Sequence, residues 1–271
     1  MTITSDFLKE PTILSKGVYL QLVVNVKFMD DAIIRSNDPE EVLTFKYNPP
    51  LNNRFIIPWR KVKGKLRRLV LEKQRGLNIE PECYLKDALC MRCPTCFIFG
   101  GTGDTNDKGP YGKTGYNILA RALGETFISK IEVEKKGVVT YTQNAVGEVD
   151  LMTGQALMSI VTVPKETEFI GVVTLKDPTA EMVSIIVDNL NRLTRLGARS
   201  VEWGRVKTEI LGYNLSDREN LTAYDLVSKE KTEIQSGLTS IEKLDLPDVD
   251  TSYTTLDISV KNLLKEHELI K

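Results

Sequence analysis

Val18-Tyr19-Leu20-Gln21-Leu22-Val23-Val24-Asn25-Val26-Lys27-Phe28 puts an apolar residue at every even position, whereas the odd positions carry Tyr19, Gln21, Val23, Asn25 and Lys27. Side chains that alternate with period two belong to a β-strand, and this one is predicted to bury one face. The next stretch, 30–53, is polar and broken by Asp38-Pro39 and Pro49-Pro50, which predicts a long loop or irregular insertion. The period then changes. In Ile57-Pro58-Trp59-Arg60-Lys61-Val62-Lys63-Gly64-Lys65-Leu66-Arg67-Arg68-Leu69-Val70-Leu71, Val62, Leu66, Leu69 and Val70 recur at helical spacing, and Pro58 suits a first helical turn. A strand, a long loop and a helix of about Trp59–Arg75 therefore open the chain, and the class is α+β.

Further along, Ser129–Thr142 and Ala156–Leu175 are rich in β-branched residues around a turn at Asp150-Leu151-Met152-Thr153-Gly154, so the middle third reads as strands and loops. A second helix is expected from Asp177 as cap and Pro178 as first residue. Its stripe is Met182, Ile185, Ile186, Leu190 and Leu193, and Gly197 ends it. An amphipathic helix is expected over roughly Leu256–Ile270.

Charge is unevenly spread. The formal net charge is -1, yet Arg54–Arg75 holds nine Lys or Arg against one acid, Glu72, and Asp217–Asp250 holds nine acids against four bases. A run of one sign is most often a solvated face. Here, however, the helix lacks the acids at i,i+4 that would neutralise it, so a polyanion is the better partner. Gly64 inside the helix costs about 1 kcal/mol relative to Ala, and it points to close approach by another backbone, either a phosphate chain or a neighbouring strand. A second cationic group, Arg192, Arg195, Arg199 and Arg205, surrounds Gly197 and Gly204; Arg192 and Arg195 also suit the C-terminal dipole of their helix.

The cysteines read Cys83-x6-Cys90-x2-Cys93-x2-Cys96, four thiolates within fourteen residues. By ligand type and count this is a closed structural zinc site. The spacing departs from paired CxxC units, so an iron–sulfur cluster and unliganded thiols stand as alternatives. His267 is the single histidine, which largely excludes histidine-based acid–base and triad mechanisms. Asp30 and Asp31, directly after the first strand, are the best-placed carboxylates for Mg²⁺, against a plainer role in capping the loop. No apolar run approaches the roughly 20 residues of a membrane span, and residues 1–6 lack the order of a signal peptide, so the expected location is the cytoplasm, with no membrane partner.

Five motifs in order carry a resemblance. They are Ile57-Pro58-x3-Val62-Lys63-Gly64-Lys65-Leu66-Arg67, Cys93-Pro94-x-Cys96-x-Ile98-Phe99-Gly100, Gly147-Glu148-Val149-Asp150-x2-Thr153-Gly154-x-Ala156, Val163-Pro164-x2-Thr167-x-Phe169 and Leu196-Gly197-x2-Ser200-x2-Trp203-Gly204-x-Val206. Over about residues 15–215 the chain resembles the RAMP superfamily of CRISPR proteins. Within it, the chain is most similar to the guide-RNA-binding backbone subunit of class 1 effector complexes, and the cysteines and length point to the type I-D version.

The resemblance implies a ferredoxin-like, RNA-recognition-like core over 1–216, with a zinc knuckle inserted at 77–100 and a thumb hairpin at about 125–170. Residues 217–271 become an acidic, helical C-terminal extension. It assigns Arg60, Lys61, Lys63, Lys65, Arg67 and Arg68 to the guide backbone, with Gly197, Arg199 and Arg205 beside them and Met152 as an apolar wedge. The partners it implies are guide RNA, target nucleic acid, further copies of the chain in a filament and other CRISPR effector subunits, all serving antiviral defence. One departure concerns Met29-Asp30-Asp31-Ala32-Ile33-Ile34, which lacks the glycines of the nuclease loop found in type III relatives. A Mg²⁺-dependent single-strand nuclease using Asp30 or Asp31 is therefore the alternative to a non-catalytic scaffold.

Overall fold

The alternating stretch forms strand β1, Tyr19–Phe28, in the middle of an antiparallel sheet. The structure is a computed structural model, and it describes residues 7–35, 43–104, 107–133, 137–146 and 153–271. The remaining strands of the sheet are β2 (Thr44–Lys46), β3 (Asn53–Ile57), β4 (Ala122–Gly124), β5 (Phe127–Glu132), β8 (Glu168–Lys176) and β9 (Val206–Ser216). Their order is β2-β3-β5-β8-β1-β9, with β4 beside β8. Two other strands, β6 (Gly137–Val146) and β7 (Thr153–Thr162), form among the described residues a separate antiparallel pair.

Helix α1 (Trp59–Gly76) follows β3, and α3 (Ala180–Asn191) follows β8. Without the excursions, the chain runs β1-α1-β5-β8-α3-β9 with spatial order β9-β1-β8-β5, which is the ferredoxin-like arrangement. The β2–β3 pair precedes α1, a cysteine module containing the short helix α2 (Pro94–Phe99) lies between α1 and β5, and the β6–β7 hairpin separates β5 from β8.

Leu20, Leu22, Val24, Val26 and Phe28 face Val62, Leu66 and Val70 of α1 and Met182, Ile186 and Leu190 of α3 in one core. Each such side chain contributes about 1.5–3 kcal/mol when fully buried, so this face sets the register of β1. The other face of β1 is buried too, contrary to the one-sided expectation. Val23 packs with Ile128, Val172 and Leu211 beneath Ala223 and Leu226 of α4 (Ala223–Leu226) and Ile234 of α5 (Lys231–Ser236). Gln21, fully buried there, donates through Nε2 to Leu221 O at 3.0 Å and accepts at Oε1 from the amides of Asn220 and Leu221. Alternation with one buried face would turn this polar side chain to solvent, whereas it is a hydrogen-bonding anchor for a segment about 200 residues away.

Three further boundaries differ from expectation. Helix α3 is capped by Thr179, whose hydroxyl accepts from Met182 N at 3.4 Å, whereas Asp177 takes a left-handed conformation and accepts from the amides of Lys16 and Val18. Phe97–Phe99, whose aromatic and β-branched residues suit a strand, is helical, because the Cys93 sulfur caps α2 and Pro94 fills its first turn. The C-terminal helix α6 is Val249–Glu266, starting earlier than its apolar stripe indicated because Asp248 accepts from Thr251 N at 3.0 Å. Tyr253, Leu256, Val260 and Leu264 of α6 join the α1–α3 core. Among the described residues, no helix is long and apolar enough to cross a membrane.

Candidate nucleic-acid interface and metal centre

Helix α1 presents its apolar stripe inward and its cations outward. Arg60 and Arg68 are exposed, and Lys61, Lys63, Lys65 and Arg67 are half-buried along the flanks. Burial, reinforced by the neighbouring Arg67 charge, holds the Lys63 ammonium below its ordinary pKa. Gly64 occupies the centre of the outward surface, with Arg60 and Lys61 one turn before it and Arg67 and Arg68 one turn after it. A Cβ placed at Gly64 would meet nothing within 4 Å, so no neighbouring strand accounts for this glycine. The Arg67 guanidinium carries two buried nitrogens, Nε and Nη2, that lack a hydrogen-bond partner. Buried donors are normally satisfied, so these two ask for an acceptor.

The glycine loop lies against the segment that follows β1. Ala198 N donates to Ile33 O at 2.7 Å, Gly204 N to Asp31 O at 3.1 Å, and Met29 N to Arg205 O at 2.8 Å. Gly197 (φ 106°) and Gly204 (φ 76°) both lie in the region that favours glycine, and a Cβ would meet Ile33 O at 2.8 Å or Leu196 O at 2.0 Å. The backbone that comes close to these glycines is the chain's own. Asp30 is engaged twice, accepting from Arg205 N and from Arg205 Nε, each at 2.7 Å, and Asp31 Oδ1 accepts from Lys165 N at 2.9 Å. Thus Asp30, Asp31, Gly197 and Arg205 come together, and Arg205 and Arg195 line an open cavity of about 500 Å³ with Met29. Arg199, at φ 50°, belongs to the same loop. Met152, the expected wedge, lies outside the described residues.

The four cysteines converge. All are buried, and their sulfurs lie within 4.8 Å of one another. Cys83 Sγ is 3.7 Å from Cys96 Sγ and 3.8 Å from Cys93 Sγ. Sulfurs bound at about 2.3 Å to one tetrahedral zinc stand about 3.8 Å apart, so the residues fit a single ion. A multi-iron cluster would hold them further apart. Hydrogen bonding from Cys90, Cys93 and Cys96 holds the Cys83 thiol far below its ordinary pKa, while burial pushes Cys93 up. Amides also point at the sulfurs, Cys90 N to Cys83 Sγ at 3.3 Å and Cys96 N to Cys93 Sγ at 3.4 Å, as expected around thiolate ligands. Arg75 Nη2 donates to Cys83 O at 3.0 Å and ties the module to the end of α1.

Residues 52–269 match the family model described as Csc2 Crispr. The chain belongs to the Csc2 CRISPR family. The crystal structure of Thermofilum pendens Csc2 is similar in fold, with a TM-score of 0.62 at 20% identity over 95% of this chain and 94% of that one. A chain titled Type IV-B CRISPR Complex matches with a TM-score of 0.48 at 14% identity, over 85% of this chain and 96% of that one. No curated protein matches.

Two features of this Csc2 family member escaped sequence reasoning. Arg121 and Asp177 form a buried ion pair at 3.6 Å, and Arg121 also donates to Thr12 O, which pins the N-terminal segment at the Tyr19 end of the sheet. Arg92, between two cysteines, stacks over Tyr111 with its guanidinium carbon 3.4 Å from the ring centroid. Neither pair has a short-range signature, because the partners are 56 and 19 residues apart (177 less 121, and 111 less 92).

Proposed function

We propose that this chain is a multi-copy backbone subunit of a type I-D CRISPR interference complex that holds guide RNA by its phosphate backbone and presents it for pairing with target nucleic acid. In this reading 1–216 is the RNA-binding core, with the zinc module at 77–100 and the thumb at about 125–170. Residues 217–271 form an extension whose α4 and α5 cover the second face of the sheet and whose α6 packs on α1 and α3, and the assembly works in the cytoplasm beside other effector subunits.

The observation that carries the reading is Gly64, open to solvent at the centre of Arg60, Lys61, Arg67 and Arg68. A bare backbone surrounded by cations admits a phosphodiester chain close to the helix axis, and charges on several sides of one helix contact phosphates without reading bases. The half-buried Arg67 guanidinium adds positive charge beside that path. In RNA-guided systems sequence is read by base pairing, which leaves the protein this backbone-holding task.

The test is the salt dependence of single-stranded RNA binding. Changing Lys61, Lys63, Lys65 and Arg68 together to Ala is expected to lower affinity for every sequence tried and to reduce the slope of log K against log salt by roughly 3, at about 0.7 per phosphate lost on a single strand. Unchanged affinity and slope would overturn the assignment of α1.

A further inference from the structure

A second cationic recess lies beyond the C-terminal end of α1, where the cysteine module meets the end of α6. It is an open cavity of about 490 Å³ lined by Arg92, Tyr111, Lys113, Tyr116 and Lys265 among others. Cations predominate in it, with Arg92, Lys113, Lys265 and Lys271 against Glu268, and among the described residues no carboxylate forms an ion pair with Arg92, Lys113 or Lys265. One carboxylate, Glu268, shares the lining, and Glu80, which accepts from the Tyr111 hydroxyl at 2.9 Å, is held by Lys261 at 3.0 Å. Three cations with a common outlook repel one another unless an anion joins them.

The recess is also built. Arg92 is flanked in sequence by Cys90 and Cys93, so the metal site fixes its backbone on both sides. Its guanidinium lies on the Tyr111 ring, and its buried Nε has no hydrogen-bond partner. The Tyr116 hydroxyl donates to Met91 O at 2.9 Å, which fastens the wall to the cysteine loop. Tyr111 is 45% exposed and offers the rest of its ring surface to the cavity side.

We propose that this recess is a second nucleic-acid contact, in which Arg92, Lys113 and Lys265 take a phosphate of a single-stranded segment and Tyr111 packs against its sugar or base. Aromatic rings interleaved with cations are the combination that grips single strands without reading sequence. An acidic peptide would satisfy the charges and leave the ring without a role. The proposal extends the guide-binding reading to a strand outside the α1 surface, because the guide set Lys61–Arg68 occupies the first part of that helix and the recess lies past its other end.

The experiment uses the full-length, zinc-loaded chain and a fluorescein-labelled oligothymidylate. Binding is measured for the wild type, for the α1 variant (K61A, K63A, K65A and R68A together) and for that variant with Lys113→Gln and Lys265→Gln added. The second pair leaves the cysteine loop untouched, and unchanged zinc content and melting temperature certify the fold. The α1 variant is expected to keep a residual affinity that the added pair lowers by at least about tenfold, the size of one lost charge-assisted contact. Arg92→Gln in the α1 variant is expected to do the same with zinc retained, and a photo-crosslink from a 5-iodouracil probe is expected at Tyr111. Residual affinity that ignores both sets of changes, or recess variants that lose only binding of an acidic peptide, would overturn the proposal. Failure of the α1 reading shows separately, as an α1 variant with wild-type affinity.

Discussion

Asp30 and Arg205 hold each other at the joint between β1 and β9, with one carboxylate oxygen on the Arg205 amide and the other on its Nε, both at 2.7 Å. The Arg205 side chain is 62% exposed, so the ion pair itself adds well under about 1 kcal/mol. Its larger consequence is electrostatic, since it neutralises a cation at the edge of the glycine loop. Asp30→Asn is expected to leave the melting temperature within a few degrees of wild type and to tighten single-stranded RNA binding by up to about fivefold, the range of one exposed charge pair. Weaker RNA binding in this variant would show that Arg205 needs Asp30 to face the ligand.

The same contacts bear on the nuclease alternative. Both carboxylates already accept from protein donors, so a complementary target incubated with an assembled complex and Mg²⁺ is expected to stay intact. Regularly spaced cuts that disappear in both Asp30→Asn and Asp31→Asn would restore the nuclease reading.

Gly64→Ala gives opposite changes in two measurements. The added methyl meets no atom within 4 Å and removes the flexibility penalty of glycine in a helix, so the melting temperature is expected to rise by an amount equivalent to about 1 kcal/mol. In the proposed binding mode the same methyl stands in the path of the phosphate chain, so RNA affinity is expected to fall. Gly64→Leu should weaken binding further while keeping the fold. Equal RNA affinity in all three proteins would show that no backbone approaches Gly64.

Legibility followed sequence distance. The β1 alternation and the α1 stripe were plain because each is a local period imposed by one buried face. The cysteine site was legible because its ligands fall in one short segment. The second buried face of β1 was not, because Gln21 and Val23 are covered by residues 220–234, and alternation cannot report a partner that far along the chain. Asp177 misled for a related reason. Asp-Pro before an apolar stripe is a standard helix start, yet here the carboxylate is drawn to the amides of Lys16 and Val18, and Thr179 takes over the cap.

The docking of α6 rests on Tyr253, which is fully buried. Its hydroxyl accepts from Asn189 Nδ2 at 3.0 Å and donates to Val70 O at 3.4 Å, linking α6 to α3 and α1 at once. Tyr253→Phe keeps the ring and removes both contacts, so a loss of about 1–2 kcal/mol is expected in urea unfolding. Tyr253→Ala also removes the ring and is expected to lose about 3–5 kcal/mol. A Phe variant as damaging as the Ala variant would show that the hydroxyl outweighs the packing.

The metal centre should act on the fold before it acts on RNA. Cys83, Cys90, Cys93 and Cys96 are buried with Leu71, Leu89 and Met91, so four thiols without an ion place polar, mutually coupled groups against an apolar wall. Zinc binding replaces their protons with one shared charge, and because the unfolded chain offers no preformed site, the binding energy becomes folding energy. A strong chelator is therefore expected to lower the melting temperature and to raise proteolysis within 77–120 before other regions. Cys93→Ala should do so most severely, because it removes a ligand and also the sulfur that caps α2 at 3.4 Å. Metal analysis is expected to find one zinc per chain in a colourless preparation, and visible absorption with two or more irons would replace zinc with a cluster. RNA affinity should fall only after the end of α1 loosens, because the module is joined to that end of the helix, by Arg75 donating to Cys83 O, by Gln74 Oε1 accepting from Thr95 N and Oγ1, and by Leu71 packed among the cysteines. If chelation abolished RNA binding with no change in melting, the metal would have to touch the ligand directly.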